Sequence, residues 1–137
     1  MERMVFLGNA PVMVADELWA AAAGFTIYYL SSRSGFTSPT WNGYPAVRID
    51  EQAYPAAAWL AEHNLPYDTD LHQDLNGDGV NLLMAYALDL DPNHNLQGSL
   101  PLPVLGDDSL SISFHAASEG ITYTVQTSTD LMAWTNE

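Results

Sequence analysis

Apolar positions along the chain fall into short blocks whose rhythm changes three times. Val5, Phe6 and Leu7 form a brief apolar run cut off by Gly8, Asn9, Ala10 and Pro11, which predicts a strand followed by a turn. Asp16 and Glu17 precede Leu18, Trp19 and four alanines, and Gly24 follows, the order of a short helix with acids in its first turn and a glycine stop. Phe25, Thr26, Ile27, Tyr28, Tyr29 and Leu30 are strand formers without interruption. Residues 31–44 are rich in turn formers, with Gly35, Pro39 and Gly43. A helix is predicted over 54–63, with Pro55 near its first turn, Asn64 at its end and Pro66 beyond. A second is predicted over 80–90, apolar nearly all round and stopped by Asp91, Pro92 and Asn93.

The rhythm then becomes two. Leu110, Ile112 and Phe114 alternate with Ser109, Ser111 and Ser113, and Ile121, Tyr123 and Val125 alternate with Thr122, Thr124 and Gln126. Each run predicts a strand with one buried and one wet face, and Ser118, Glu119 and Gly120 supply the turn between them. The fold class that follows is α+β, as small modules in series. They are a β/α cap over 1–49 too short to bury a core alone, a helix–loop–helix over 50–97, and an incomplete antiparallel β-sandwich over 98–137. Two or three strands where a sandwich needs about seven would leave an apolar face and an unpaired edge.

Charge sharpens this picture. Of 137 residues none is lysine, and the three arginines (Arg3, Arg33 and Arg48) all precede fourteen acidic residues that carry the net charge of −14. Such a chain repels nucleic acid and anionic membrane, while bound divalent cations would relieve its self-repulsion. An acidic surface that only aids solubility explains the composition equally well. Without cysteine there is no disulfide, thiolate zinc site or cysteine nucleophile. No run of about 20 apolar residues predicts a membrane span. The opening residues lack a signal-peptide core, so an exported protein would carry its signal upstream.

One stretch has spacing that carries chemistry. Asp74, Asn76 and Asp78 alternate, Gly79 follows, and an apolar helix-like segment begins at Val80. Oxygen side chains at loop positions 1, 3 and 5, a glycine at 6 and a backbone carbonyl at 7 are what a hard Ca²⁺ ion takes from a short loop. The expected ligands are Asp74, Asn76, Asp78 and the Val80 carbonyl. Position 12, where such a loop carries a bidentate acid, is Ala85. Asp70 and Asp68 upstream, or Asp89 downstream if the helix rotated, are the candidates to supplement it. With more of the shell left to water, binding should be weaker than in a cytosolic sensor. The competing reading makes Asp78 and Gly79 a plain turn, with Asp78 capping the helix at Val80 and Asp74 and Asn76 solvated.

Three resemblances bear on these segments. Phe6-Leu7-Gly8-Asn9-Ala10-Pro11, Thr26-Ile27-Tyr28-Tyr29-Leu30, and Gly35-Phe36-Thr37 with Trp41-Asn42-Gly43-Tyr44-Pro45 resemble the closing unit of BspA-like leucine-rich repeats of bacterial surface proteins. Phe36 stands where that pattern has tryptophan, and Trp41 comes five residues later. The run from Asp74 to Pro92, in a match that extends from roughly Tyr54 to Pro92, is similar to the single calcium-loop module, akin to dockerin and thrombospondin type 3 loops, near the ends of large exported bacterial proteins. Tyr123-Thr124-Val125 through Ser128-Thr129-Asp130-Leu131 to Trp134 resembles the signature of a small sandwich in the same proteins. Together they imply a C-terminal piece of an extracellular or cell-surface protein, in which Ca²⁺ is structural and sets the angle between two helices. The partners implied are upstream repeats or domains of the same parent, and a protein or cell-surface partner.

Other chemistry finds less footing. His63, His72, His94 and His115 have no zinc-ligand spacing. No nucleophile elbow or phosphate-cradling glycine loop occurs, and the carboxylates crowd one loop rather than flank a cleft. Trp19, Trp41, Trp59 and Trp134 read as core before they read as a sugar platform. The expectation is thus a non-catalytic, calcium-stabilised structural or adhesion segment. Two alternatives are the accessory tail of an exported hydrolase, and a dockerin-like module that docks a protein through its second helix.

Overall fold

A computed structural model describes residues 3–12 and 24–136, which fall into two compact units, Met1–Thr69 and Asp70–Glu137. The division lies inside the expected helix–loop–helix segment. The helix expected after Asp16 lies outside the described residues.

In the first unit, four strands order as β1-β2-β4-β3: β1 (Arg3–Phe6), β2 (Thr26–Leu30), β3 (Thr40–Trp41) and β4 (Tyr44–Ile49). β1 runs parallel to β2 and β2 parallel to β4, while β3 returns antiparallel on β4. Two strands stand where the sequence predicts them; β3 lies within the 31–44 stretch expected to be turns, and β4 begins at its last residue. Trp41 pairs with Tyr44 across Asn42 (φ 46°) and Gly43 (φ 84°), both in the left-handed region that a two-residue hairpin requires. Pro45, which has no N–H to give, precedes the point where β4 begins to pair with β2 at Ala46.

Contrary to the expectation of an open cap, this sheet builds a core. Phe25, Ile27, Tyr29, Trp41 and Ala46 form one buried cluster, with Phe6 and Phe36 packed against it. Phe36 is its hub, stacked on Tyr29 (centroids 4.7 Å apart) and tilted against Trp41 (5.0 Å) and Phe6 (5.2 Å). Three such contacts contribute beyond their buried area, which explains how phenylalanine fills this position. The turn at 8–11 is held against 34–35: Ala10 N–H donates to Ser34 O (2.9 Å) and Ser34 N–H to Asn9 Oδ1 (3.0 Å). There Gly35 has φ +86°, and a Cβ on it would lie 2.9 Å from Ala10 Cβ, so the approach depends on glycine. Helix α1 (Ala57–Glu62) completes a second cluster in which Ala57 meets Leu30 and Ile49. It ends as its sequence predicts. Asn64 takes φ +62°, Leu65 N–H reaches Leu60 O (2.8 Å), and Asn64 N–H reaches Ala61 O (3.1 Å), the double bond that closes a helix C-terminus.

In the second unit, α2 (Leu82–Ala87) is shorter than the predicted 80–90 and buries Leu82, Ala85 and Tyr86. Asp89 (φ +53°) turns the chain out, with Leu90 N–H on Ala85 O (2.9 Å) and Asp89 N–H on Tyr86 O (3.2 Å). The turn at 118–120 forms as expected and docks on the last turn of α2. Ser118 Oγ donates to Tyr86 O (2.7 Å), Tyr86 Oη to Glu119 O (2.9 Å), and Tyr123 Oη to Ala87 O. The two hydroxyls thus supply a partner to the Ala87 carbonyl at the helix end and a further one to Tyr86 O.

The sandwich strands are reduced to two short ladders. β5 (Val104–Leu105) pairs with β6 (Leu110–Ser111), and β7 (Gln126–Thr127) with β8 (Thr135–Asn136), both antiparallel. Residues 112–125 form no strand, and the predicted inner face is not buried: Leu110 is 69 % exposed, Ile112 54 % and Val125 57 %. Alternation marks which face a strand would bury, but it supplies no second sheet to bury it against. Trp41 and Trp59 are buried as expected, whereas Trp134 is 53 % exposed.

Candidate functional site

The site begins with how α2 is entered. Asn81, not Asp78, is the N-cap: its side chain accepts from Met84 N–H (2.9 Å). Leu82 N–H donates to Gln73 O (2.9 Å) and Leu83 N–H to Leu71 O (2.7 Å). The first N–H groups of the helix are thus satisfied by the residues just upstream of the loop, which anchors its entry to the helix.

Within the loop, the Asp74 carboxylate collects three backbone donors. Gly77 N–H (2.9 Å) and Asp78 N–H (3.3 Å) reach Oδ1, and Gly79 N–H reaches Oδ2 (2.8 Å). Gly77 and Gly79 both take positive φ, which folds successive N–H groups inward. Asn76 Oδ1 accepts from Asp78 N–H (3.1 Å), repeating the device two residues on. The alternation read from the sequence therefore does bring Asp74, Asn76 and Asp78 into one turn.

Asp78 does something the sequence did not reveal. Its side chain is buried, at 5 % exposure, and ties the loop to a segment eighteen residues away. Oδ1 accepts from Val80 N–H (2.8 Å), and Oδ2 from Leu96 N–H (2.7 Å) and Asn76 Nδ2 (3.1 Å). The Asp78 carbonyl accepts from Gln97 Nε2 (2.6 Å), and Asn76 Nδ2 also donates to His94 O (2.8 Å) and weakly to Pro92 O (3.4 Å). The Leu96 amide, joined by those of Val80 and Asn76, holds the Asp78 carboxyl below the usual carboxylate range, against the opposing effect of burial. Asp91 is lowered in the same manner, chiefly by Asn93 N–H. The 91–97 segment was read only as a helix stop. Its signal lay in turn-forming Asp91, Asn93 and Asn95, of which Asp91 and Asn95 each accept a backbone N–H two residues on (3.0 and 3.1 Å).

The supplementary candidates are engaged otherwise. Asp70 Oδ1 accepts from His72 N–H (3.0 Å) in its own turn, and Asp89 is exposed at the helix exit. Ala85 is buried and carries no side-chain oxygen. Among the described residues no three His, Cys, Asp or Glu side chains gather closely enough to hold a metal by themselves. The donors in this turn are two carboxylates, of which Asp74 Oδ2 and Asp78 Oδ1 each accept a single N–H and keep a lone pair, and one amide oxygen. That set suits a hard divalent cation that retains several waters, and not the closed cage of six or more protein oxygens. No helix among the described residues is long and apolar enough to cross a membrane. Compared with protein-family models, curated proteins and solved structures, the chain matches none.

Proposed function

We propose that the chain is a non-catalytic structural or adhesion segment of an exported bacterial surface protein, in which Ca²⁺ reinforces the 74–80 loop. The observation that carries this reading is the loop itself. Backbone N–H groups orient Asp74, Asn76 and Asp78 within one turn, and such ordering lowers the cost of gathering their oxygens about an ion. Asp74 and Asp78 would hold the cation, with Asn76 Oδ1, the Val80 carbonyl and water beside them. Bound there, it would offset the repulsion between two carboxylates within one turn and stiffen the tie to 92–97. The same reading places upstream repeats of a parent protein beside β1 and the chain at a cell surface. Support for this comes from three strands, β1, β2 and β4, laid side by side in parallel, as in a stacked repeat.

The test is a calorimetric Ca²⁺ titration of the whole chain beside Asp74→Asn, with melting followed in calcium and in chelator and Mg²⁺ as the competing ion. Saturable heat at micromolar to low-millimolar Ca²⁺, with a raised melting temperature that the variant loses, is the expected result. No heat up to about 10 mM, beyond the weakest extracellular modules, removes calcium from the reading.

A further inference from the structure

Between α2 and the 114–124 segment lies a cleft of about 680 Å³, within the second unit and apart from the 74–80 loop. Leu83, Met84 and Leu88 form one wall, and Phe114, Ile121 and Tyr123 the other. The walls are fixed rather than incidental, because Ser118 and Tyr123 hydroxyls bond the last carbonyls of α2 and Tyr86 bonds back to Glu119 O. Yet Met84 is 48 % exposed and Phe114 41 %, so apolar surface faces water across a built gap. Exposed acids adjoin the walls in the chain, Asp89 beside Leu88 and Glu119 beside Gly120, and His115 follows Phe114. No lysine or arginine occurs anywhere after Arg48, while fourteen acids do.

An apolar floor within a field of one sign selects its occupant. A second copy of this chain would bring the same negative charge to the contact, and an acidic or anionic ligand would be repelled. A peptide segment whose apolar side chains are flanked by lysine or arginine gains from both terms. We infer that this cleft docks a basic amphipathic segment of a partner protein, its apolar side chains seated between α2 and the 114–124 wall and its cations facing Asp89 and Glu119. The size of the cleft suits a few side chains, as in grooves that take one face of a short helix. This inference does not rest on calcium.

The experiment measures binding of three synthetic peptides to the full chain by fluorescence anisotropy. The first, of about 14 residues, carries leucines at helical spacing and lysines elsewhere. The second replaces its lysines with glutamate, and the third replaces its leucines with serine. Expected is a dissociation constant in the micromolar range (~10 µM) for the leucine–lysine peptide alone, weakening as salt shortens the reach of charge. Met84→Ser should weaken it about tenfold and Glu119→Lys about threefold, with melting temperatures showing that both variants stay folded. Phe114→Ser, on the opposite wall, gives an independent second reading if Met84→Ser does not fold. Equal binding of the glutamate peptide, equal binding of the serine peptide, or full affinity in folded Met84→Ser and Phe114→Ser would each overturn the inference. So would a concentration-dependent dimer abolished by Met84→Ser, which would give the cleft to a second copy.

Discussion

Asn76→Asp exchanges a single nitrogen for oxygen at a point where three oxygens already converge. In the parent, Asn76 Nδ2 faces His94 O at 2.8 Å, Asp78 Oδ2 at 3.1 Å and Pro92 O at 3.4 Å, much as a small cation would. The bond to His94 O is the well-formed neutral one and contributes about 1 kcal/mol. The exchange removes it, sets an acceptor against an acceptor, and brings a second carboxylate toward Asp78. Without metal the loss should be about 1–2 kcal/mol, which for a unit of this size lowers the melting temperature by about 5–10 °C. With metal the deficit narrows, since the loop gains a carboxylate at position 3 and the variant's calcium increment exceeds the parent's. At a free Ca²⁺ concentration ten times the dissociation constant, linkage returns about 1.4 kcal/mol. The assay is differential scanning calorimetry of parent and variant in chelator and in 10 mM Ca²⁺. A variant that melts no lower than the parent in chelator would show that the Asn76 amide does not hold the loop. A calcium increment no larger than the parent's would show that the ion, if bound, lies elsewhere.

Three further outcomes are expected. Asp89→Gly relieves a left-handed residue at the exit of α2 and should stabilise by a few tenths to about 1 kcal/mol in chemical denaturation, with calcium response unchanged; loss of that response would identify Asp89 as the closing ligand. Gly35→Ala should cost about 2–4 kcal/mol, from positive φ and overlap with Ala10, and Ala10→Gly should restore part of it; an unchanged cost in the double variant would refute the overlap. Acid should destabilise: Asp78, Asp91 and Asp130 have lowered pKa values, so their contribution is complete above the unfolded value of about 4 and is lost as pH falls through the folded ones. A melting temperature that instead rises steadily from pH 5 to pH 3 would mean that relief of the net negative charge outweighs those bonds.

What the sequence disclosed and what it withheld divide along physical lines. Thr26 to Leu30 and the loop at 74–80 were legible because local spacing determines them: uninterrupted strand formers in one, alternating oxygens and a glycine in the other. β3 and the start of β4 are obscured by the turn formers Gly35, Pro39 and Gly43, although Asn42-Gly43 between Trp41 and Tyr44 is a strong hairpin signal. The role of Asp78 was hidden for a different cause. Its partner, the Leu96 amide, lies beyond a helix, and no local pattern announces a bond that only the packed chain completes. The 109–126 alternation was read correctly as a pattern and wrongly as a buried face, because burial is decided by neighbours that the alternation does not contain.

The arrangement of the four-stranded sheet gives it a direction. At one margin β3 doubles back through a two-residue reversal, so a strand laid beside it would have to break the parallel rule that unites β1, β2 and β4. At the other margin, among the described residues β1 pairs with β2 alone, and a strand added beside it in its own direction would repeat the step already taken twice. On the repeat reading proposed above, assembly onto this sheet would be one-ended, with a stop at β3 and a growing tip at β1. A peptide supplied in trans to prime that tip should align parallel to Arg3–Phe6 and leave β3 untouched.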